Sequence, residues 1–423
     1  MSGVHTNIIE NTFSHVFRVR SGNIGEYSFR DRSGFITCNI GKNLEFESGE
    51  ITGRKELVKL LPDDQKRRFL PTENEINEFD ATLVARQGNM ISSQLNKYCN
   101  FEWEIIFKTI RNKRVVKRGS DVSGITDFSH NSVLIRFKRE NWHNYIEIGE
   151  GDTEGLPHNI SGLTSRLESI IRCNLEAEKS ELPSDIPVIL TPGEGGIFFH
   201  EILGHSLEAD HILKGLSPFT VSDIGKRVVS DNITISTFLK EDQFFKNINC
   251  DDEGNIKFRK NLIEKGELKH IISDTFHSHL LGISETGSLR TENFMKRPLP
   301  RMYAIYLRNG KYSQKEIMES TKKGIIAKEF GDGKVLFNKN LFYFNIPSAY
   351  MIRNGRIREP LGSIIVSGKI NEMFNSVEMV ADDFSLDRGI SYCYKDGQTL
   401  NVRVGQPTVK INNLKISRGL SDI

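Results

Sequence analysis

The chain has 423 residues, which is enough for two or more domains with sizeable cores. Its 57 lysines and arginines against 55 aspartates and glutamates leave a formal net charge of +2, which argues against a nucleic-acid partner. Hydrophobic residues make up 37% and charged residues 26%, as is typical of soluble globular proteins, and no apolar run approaches the roughly 20 residues of a membrane helix. Met1 to Arg20 contain no apolar signal-peptide core, so we expect no membrane partner and a cytoplasmic location.

The cysteines argue against a disulfide framework. There are five of them, an odd number, and no two form a CxxC pair of the kind found in zinc ribbons. A free buried thiol is the default expectation for each cysteine.

The first half predicts strands and helices in mixed order. Short alternations of apolar and polar residues predict four strands, at Phe17–Arg20, Phe35–Cys38, Val133–Lys138 and Tyr145–Ile148. Leucine spacing predicts a helix over Lys55–Phe69, and most of Asn74–Leu95 is also expected to be helical.

A clear amphipathic helix closes the first half. Its apolar residues fall at i, i+4, i+7, i+8 and i+12, at Leu163, Leu167, Ile170, Ile171 and Leu175. Two prolines, Pro183 and Pro187, follow this helix and precede the strand-like run Val188–Leu190. We therefore predict two domains, residues 1–183 and residues 184–423.

The second half predicts a largely antiparallel sheet with one buried helix. Three dipeptides that favour tight hairpin turns lie between strand-like runs, at Asn309-Gly310, Asn354-Gly355 and Asp396-Gly397. The fold class predicted for the chain is therefore α+β.

The buried helix carries two histidines and a glutamate. After Gly195-Gly196 and an apolar run come His200-Glu201 and, five residues after the first histidine, His205. Two histidines and a glutamate on one helix are a common way to offer two metal ligands and a base. Positions i and i+5 lie about 140° apart on an ideal helix, so a shared ion requires a distortion such as a π-bulge. The alternative is a buried helix with two hydrogen-bonded histidines.

A catalytic zinc site needs three protein ligands and an open position for water. His211 and Glu208 are close in sequence, and His277 and His279 would share one face of a strand. Cys393, beside the turn predicted at Asp396-Gly397, offers a soft thiolate suited to zinc. The residues alone leave the choice among these candidates open.

Several segments together resemble the TldD/PmbA family, also called TldD/TldE metalloproteases. The similarity is strong over residues 185–418 and is carried by six segments: His200–Glu208, Asn249–Gly254, Leu299–Met302, Ala349–Gly355, Cys393–Gln398 and Val404–Thr408. The family contains TldD-like members that carry the metal motif and TldE-like members that lack it. Because this chain keeps the motif, it resembles the TldD-like members.

The resemblance implies roles for individual residues. His200, His205 and Cys393 match the family's ligands for Zn2+, and Glu201 matches its catalytic glutamate. In that scheme zinc lowers the pKa of its water to roughly 7 and Glu201 acts as general base. Arg301, Met302 and His211 are candidate substrate-binding residues, and Arg301 and His211 are also candidates for stabilising the oxyanion. This chain departs from the family at three segments near the expected substrate groove, at Tyr303–Ile305, Phe330–Gly333 and Tyr394.

The resemblance also implies a function. It predicts a zinc metallopeptidase that cuts unfolded or short peptides in an enclosed chamber, with a role such as leader removal or trimming of a ribosomally made peptide. It predicts a homodimer or a heterodimer with a TldE-like chain. Three other interpretations stay open: a non-catalytic TldE-like partner subunit, a cysteine hydrolase with Cys393 as nucleophile, and a purely structural zinc site with four protein ligands.

Overall fold

We describe the fold from a computed structural model. The structure describes residues 4–20, 23–40, 44–51, 81–98, 101–118, 121–139, 142–151, 160–177, 182–183, 186–240, 244–245, 248–388 and 391–419. The helix predicted over Lys55–Phe69 lies outside these residues, as do residues 74–80 of the next predicted helix.

The first half forms one antiparallel sheet of long strands. Its order is β3-β2-β1-β4-β5-β6. The strands are β1 (Val4–Arg20), β2 (Asn23–Ile40), β3 (Leu44–Glu50), β4 (Glu102–Arg118), β5 (Asp121–Arg139) and β6 (Trp142–Gly151). All four strands predicted here lie within β1, β2, β5 and β6, because period-2 alternation is a reliable strand signal when one face is buried.

Two helices, α1 (Ala81–Leu95) and α2 (Ile160–Glu176), cover one face of this sheet. Ile91 of α1 and Leu167 of α2 join Phe107 of β4 in one buried hydrophobic cluster. The predicted amphipathic helix is confirmed, with one difference at its end. Leu163, Leu167, Ile170 and Ile171 are each 1% exposed, whereas Leu175 is 46% exposed in the last turn.

Helix α2 also joins the two halves of the chain. The side-chain amide of Asn174 donates to the Pro347 carbonyl at 2.9 Å, and its oxygen accepts from the Ser363 amide at 2.7 Å. The buried thiol of Cys173 lies beside the Ala349 carbonyl. This helix therefore packs on the first sheet and on the second half together, and the boundary at residues 183–184 stays a prediction.

The second half contains an eight-stranded sheet in the order β18-β22-β7-β14-β16-β17-β23, with β15 added alongside β16. Only the β7–β14 pair is parallel within the part of this sheet that the structure describes. The strands are β7 (Val188–Leu190), β14 (Lys323–Glu329), β15 (Gly333–Leu336), β16 (Leu341–Arg353), β17 (Arg356–Lys369), β18 (Val377–Val380), β22 (Val409–Ile411) and β23 (Lys415–Ser417).

A seven-stranded sheet lies opposite, in the order β10-β9-β8-β13-β21-β19, with β20 paired to β21. Its strands are β8 (Ile235–Ser236), β9 (Asn261–Glu264), β10 (Glu267–Leu268), β13 (Ala304–Leu307), β19 (Ser385–Leu386), β20 (Ser391–Lys395) and β21 (Gln398–Gln406). The short strands β11 (Leu289–Arg290) and β12 (Leu299–Pro300) pair separately.

The remaining helices are short. They are α3 (Gly196–Phe199), α4 (Ala209–Leu213), α5 (Thr275–Leu281), α6 (Gln314–Glu319) and α7 (Ile370–Met373), with single turns at His200–Gly204, His205–Leu207, Val221–Asp223 and Phe337–Lys339. In the part of the chain that is described, no helix combines the length and apolar character that crossing a bilayer would take.

Two of the three predicted hairpins are confirmed. Asn354-Gly355 joins β16 to β17, and Asp396-Gly397 joins β20 to β21, with positive φ at both residues of each turn. The hairpin predicted at Asn309-Gly310 is wrong. The Gly310 amide bonds to the Ala381 carbonyl, and the chain continues into α6 through a capping box at Ser313.

The motif helix lies in the core between the two sheets of the second half. Phe198 of α3 packs against Phe342 and Phe344 of β16. On the other side, a Cβ atom added at Gly196 would lie 2.6 Å from the Gly405 amide nitrogen of β21. The helix is thus held from both sides, and the α+β class predicted for the chain is confirmed.

We expect Leu167→Ala to lower the free energy of unfolding by about 2–5 kcal/mol, because it opens a cavity under α2. Leu175→Ala is the matched control: the same atoms are removed from the same helix at a side chain that is 46% exposed. Its expected effect is below about 1 kcal/mol. Equilibrium urea unfolding measures both, and equal losses would contradict this account of the helix.

Candidate metal centre

The motif helix changes its hydrogen-bond register at the first histidine. Residues His200–Gly204 form a π-turn, in which the His205 amide bonds to the His200 carbonyl five residues earlier. A 3-10 turn, His205–Leu207, follows directly. This register places positions i and i+5 on one face. The two imidazole centroids lie 5.1 Å apart, so the distortion that a shared ion requires is present.

Gly204 is required here because there is no room for a side chain, and not because its backbone needs a conformation that only glycine adopts. Its backbone is helical, with φ −56° and ψ −55°, which any residue adopts. A Cβ atom at this position would lie 2.2 Å from the Met302 sulfur. Met302, which is 3% exposed, therefore packs directly on the π-turn.

The third donor comes from the far end of the chain. Cys393 lies on β20, 188 residues after His205, and its sulfur is 3.1 Å from His205 Nε2. One ligand atom from each of His200, His205 and Cys393 lies within 4.8 Å of the others. Of the cysteines with described surroundings, Cys173, Cys250 and Cys393 are free and buried, and only Cys393 belongs to such a group.

These residues fit a metal ion. His200 is 0% exposed, and within the described part of the chain neither of its ring nitrogens has a hydrogen-bond partner. Burying a polar nitrogen without a partner costs free energy that coordination would recover. Two imidazoles and one thiolate form a donor set that suits zinc.

A second group of possible ligands, His205, Glu208 and His211, is already neutralised. The Glu208 carboxylate lies 2.7 Å from His205 Nδ1 and accepts a hydrogen bond from Lys395 Nζ at 2.8 Å. A lysine ammonium thus occupies the place where a second cation would bind. This favours the group that contains Cys393.

The other sequence candidates fall elsewhere. His277 and His279 lie on helix α5, so the shared strand face predicted for them is wrong. His277 pairs with Asp274, whose carboxylate oxygen is 2.8 Å away. Neither histidine belongs to a possible metal group among the described residues.

Arg301 supports the thiolate. Its guanidinium donates to the Cys393 sulfur at 3.0 Å and to the Cys393 carbonyl at 2.7 Å. Burial by itself raises the pKa of the Cys393 thiol, but the positive charges of His205 and Arg301 outweigh it and hold that pKa well below its ordinary value. A thiolate at neutral pH is the form that binds metal.

Arg301 and Met302 lie away from the cavity, and the substrate contact predicted for them stays a prediction. They are 1% and 3% exposed and do not line the cavity beside the centre, because Arg301 is turned toward Cys393 and Met302 toward Gly204. His211 does line that cavity, and its Nδ1 lies 2.9 Å from the His205 carbonyl.

A carboxylate holds His205 in place. Burial disfavours the imidazolium, but Cys393 and Glu208 together raise the pKa of His205 well above its usual range. The Glu208 carboxylate is buried as well, yet His205 and Lys395 lower its pKa well below normal. Sequence reasoning missed Lys395. The available signal was its position two residues after Cys393, which places both side chains on one face of β20.

Glu201 faces the cavity from the same π-turn. Burial raises the pKa of its carboxyl group, although His205 and His200 act in the opposite direction. Its nearest carboxylate oxygen is 3.9 Å from His205 Nε2, and its side chain is 17% exposed. A carboxylate with a raised pKa at the mouth of a metal group is suited to accept and return a proton.

The cavity measures about 1130 Å³ and lies between the two halves of the chain. The first sheet contributes a charged wall that includes Lys108, Arg136 and Glu147. The second half contributes Glu201 and His205 from the π-turn. A substrate in this cavity would therefore contact both halves.

Two of the three divergent segments line this cavity. Residues Phe330–Gly333 and Tyr394 belong to its wall. Tyr303 does not, since its ring stacks with the buried guanidinium of Arg290, 4.0 Å from the ring centroid. The segments that reach the cavity are therefore those between β14 and β15 and on β20.

Two named relatives are similar to this chain. The metalloprotease TldD homolog of Buchnera aphidicola (subsp. Acyrthosiphon pisum) is 37% identical over 244 residues, which is 57% of this chain and 50% of that protein. The match thus spans half of that relative's length. The zinc metalloprotease TldD homolog of Saccharolobus solfataricus is 29% identical over 371 residues, 86% of this chain and 80% of the relative.

The fold also has a solved counterpart. The crystal structure of TldE from Thermococcus kodakarensis superimposes with a TM-score of 0.73, covering 99% of this chain and 97% of that one at 15% identity. At this identity the likeness concerns the fold alone. The family model of the PmbA/TldA metallopeptidase C-terminal domain matches residues 183–418, which contain the π-turn, Cys393 and every other residue of the centre. The chain belongs to the TldD/PmbA metallopeptidase family.

Proposed function

We propose that this protein is a zinc metallopeptidase that hydrolyses unfolded or short peptides. The observation that carries the proposal is that His200, His205 and Cys393 form one buried group of donor atoms, and that His205 and the adjacent Glu201 line the wall of a cavity. The π-turn supports this proposal. It gives up the regular hydrogen bonds of an α-helix, and in doing so it brings His200 and His205 onto one face.

When bound, zinc would polarise the scissile carbonyl and lower the pKa of water to roughly 7. His200, His205 and Cys393 are the residues that would hold it. The Glu201 carboxylate takes the proton of the attacking water and passes it to the leaving amine. Its partly buried position strengthens its interactions with charges that develop nearby.

The ligand count favours a catalytic site over a structural one. A closed structural zinc site has four protein ligands. The group around Cys393 offers three in the described part of the chain, and Glu201 stands toward the cavity. This arrangement leaves a position for water and substrate.

An edge strand is available to bind the peptide. Among the described strands, β15 pairs only with β16, and Lys334 and Val335 on it line the cavity. The strand also packs beside the π-turn. A peptide that pairs with this edge would be held by its backbone, which gives affinity without reading side chains. Such binding suits substrates that are unfolded.

Family membership supports a proposal for the assembly and the biological role. We propose a homodimer or a heterodimer with a TldE-like chain, a cytoplasmic location, and a role in trimming a ribosomally made peptide within an enclosed chamber. The cavity between the two halves supports a confined site. A non-catalytic partner role is disfavoured, because such a subunit has no need of the complete ligand set.

A cysteine hydrolase is the second candidate, and one observation favours it. The Cys393 sulfur lies 3.1 Å from His205 Nε2, and His205 Nδ1 lies 2.7 Å from Glu208, in the order of a nucleophile, base and carboxylate triad. Two observations oppose it. Cys393 is 1% exposed and does not line the cavity. A triad would also leave the buried nitrogens of His200 without a partner among the described residues.

We expect the purified, unchelated protein to contain about one zinc per chain, and Cys393→Ser to lose most of it, because a hydroxyl is a much poorer zinc ligand than a thiolate. Metal mass spectrometry measures both. Cys173→Ser, a second buried free cysteine outside the centre, is the control and should keep its zinc. A folded wild-type protein without metal would favour the partner-subunit role, and full occupancy in Cys393→Ser would remove Cys393 from the ligand set.

We expect Glu201→Gln to bind zinc normally and to lose peptide turnover by about 10²–10⁴-fold, because the amide cannot accept the proton of water. Steady-state cleavage of an unfolded peptide together with zinc content measures this. The control is Glu319→Gln, at a side chain that is 65% exposed on α6.

Two outcomes would contradict the assignment of Glu201 and zinc. One is a Glu201→Gln enzyme that cleaves at the wild-type rate. The other is wild-type activity that survives removal of the metal by a chelator and is abolished by thiol alkylation, which would favour the cysteine hydrolase.

We expect a peptide to pair with β15 as an added strand. Methylating two backbone nitrogens of the peptide that face this strand should raise KM roughly tenfold, because each lost hydrogen bond is worth about 0.5–1.5 kcal/mol. The same peptide methylated at the alternate nitrogens, which point away, is the control. Equal KM values, or a peptide complex of Glu201→Gln without strand pairing at Gly333–Leu336, would refute this binding mode.

A further inference from the structure

Lys395 is a buried lysine beside the proposed zinc centre. It is 6% exposed, and its ammonium donates to Glu208 at 2.8 Å and to Asp210 at 2.6 Å. Lysine is almost never buried unless it is paired, because taking an ammonium out of water is expensive. Lys395 is neither a proposed metal ligand nor the proposed general base, so its burial beside the centre requires another explanation.

Lys395 is connected to a proposed ligand through one carboxylate. A single oxygen of Glu208, Oε2, contacts both Lys395 Nζ and His205 Nδ1, at 2.8 and 2.7 Å. The other oxygen, Oε1, is buried and has no hydrogen-bond partner among the residues that the structure describes. These are the two hydrogen-bonding contacts that orient Glu208, and His211 Nδ1 lies farther from the same oxygen, at 3.9 Å.

Lys395 is also linked to the centre through the backbone of β20. Cys393 and Lys395 lie two residues apart on β20, so their side chains point to the same side of the strand. Strand β20 thus carries Cys393, a proposed metal ligand, and Lys395. Lys395 holds Glu208, the carboxylate that contacts the second ligand, His205. Donation from His205 Nδ1 to Glu208 leaves Nε2, the nitrogen that faces Cys393, free to bind a metal.

We propose that Lys395 is a positioning residue of the zinc centre. It anchors the Glu208 carboxylate, which in turn fixes the tautomer and orientation of His205. The proposal rests on the proposed zinc site, and a carboxylate behind a ligating histidine is known to influence metal affinity by about 10–100-fold.

Lys214 is a matched control, because it tests whether the loss of any lysine beside Asp210 would weaken zinc binding. Lys214 contacts the same Asp210, at 3.3 Å, but its side chain is 51% exposed and does not reach Glu208. Replacing Lys214 removes a lysine from the same acidic pair without touching the connection to His205. Lys214 also remains beside Asp210 when Lys395 is replaced, so only Glu208 is then left without a lysine partner.

The experiment measures the zinc dissociation constant of the full chain by competition with a chromogenic chelator. We expect Lys395→Met to bind zinc about 10–100-fold more weakly than the unaltered protein. Lys214→Met should stay within about twofold, as exposed ion pairs contribute little. Wild-type zinc affinity in a folded Lys395→Met protein would overturn the proposal.

A double variant tests whether Lys395 acts through Glu208. Both Glu208→Gln and Lys395→Met interrupt the same contact to His205, so their effects on zinc affinity should not multiply in Glu208→Gln/Lys395→Met. Lys395→Met alone leaves the buried Glu208 carboxylate without its lysine and could fail to fold for that reason. The double variant removes this charge, so the test can still be carried out. In that case the comparison is with Glu208→Gln, and a further loss of tenfold or more in the double variant would overturn the proposal.

Failure of the zinc site itself is distinguishable. If the unaltered protein binds no zinc, the proposed function fails before any variant is compared. If the unaltered protein binds one zinc and only the Lys395 prediction fails, the metal site stands and the positioning role is wrong.

Discussion

The π-turn at His200–Gly204 is the constraint on which the rest of the centre depends. A regular helix would place His200 and His205 on different faces, and no single ion could reach both. The turn is maintained by its surroundings: Phe198 packs on β16, and Met302 occupies the space that a side chain at Gly204 would need. The core of the second half thus stabilises a local geometry that the helix would not adopt by itself.

Charge balance is the second requirement of this buried region. Cys393, Glu208 and Asp210 bring negative groups into the interior, and each has a cation at hydrogen-bonding distance: Arg301 or Lys395. Breaking one partner of a buried pair leaves an uncompensated charge and costs about 3–5 kcal/mol. The network therefore restrains where each group sits, and this restraint is what a metal centre requires of its surroundings.

The two halves of the chain meet at the cavity, and each has a different task there. The second half supplies the donor atoms and Glu201 on elements held in its core. The first sheet turns one face to its own helices and supplies charged residues of the cavity wall from β4, β5 and β6. The divergent residues that reach this wall, Phe330–Gly333 and Tyr394, contribute no donor atom to the group of His200, His205 and Cys393, so the wall can vary while these three residues stay the same.

Local patterns in the sequence determined the elements and the chemistry of the motif. Period-2 alternation predicted the strands, a 3.6-residue period predicted α2, and two of three glycine turns joined the strands they flank, because these signals depend on neighbouring residues alone. His200, Glu201 and His205 were found for the same reason. Tertiary structure alone decided the rest. It placed Arg301 against Cys393 and Lys395 against Glu208. It also paired the Gly310 amide with the Ala381 carbonyl in place of the predicted hairpin. Each of these contacts joins residues that lie many positions apart in the sequence.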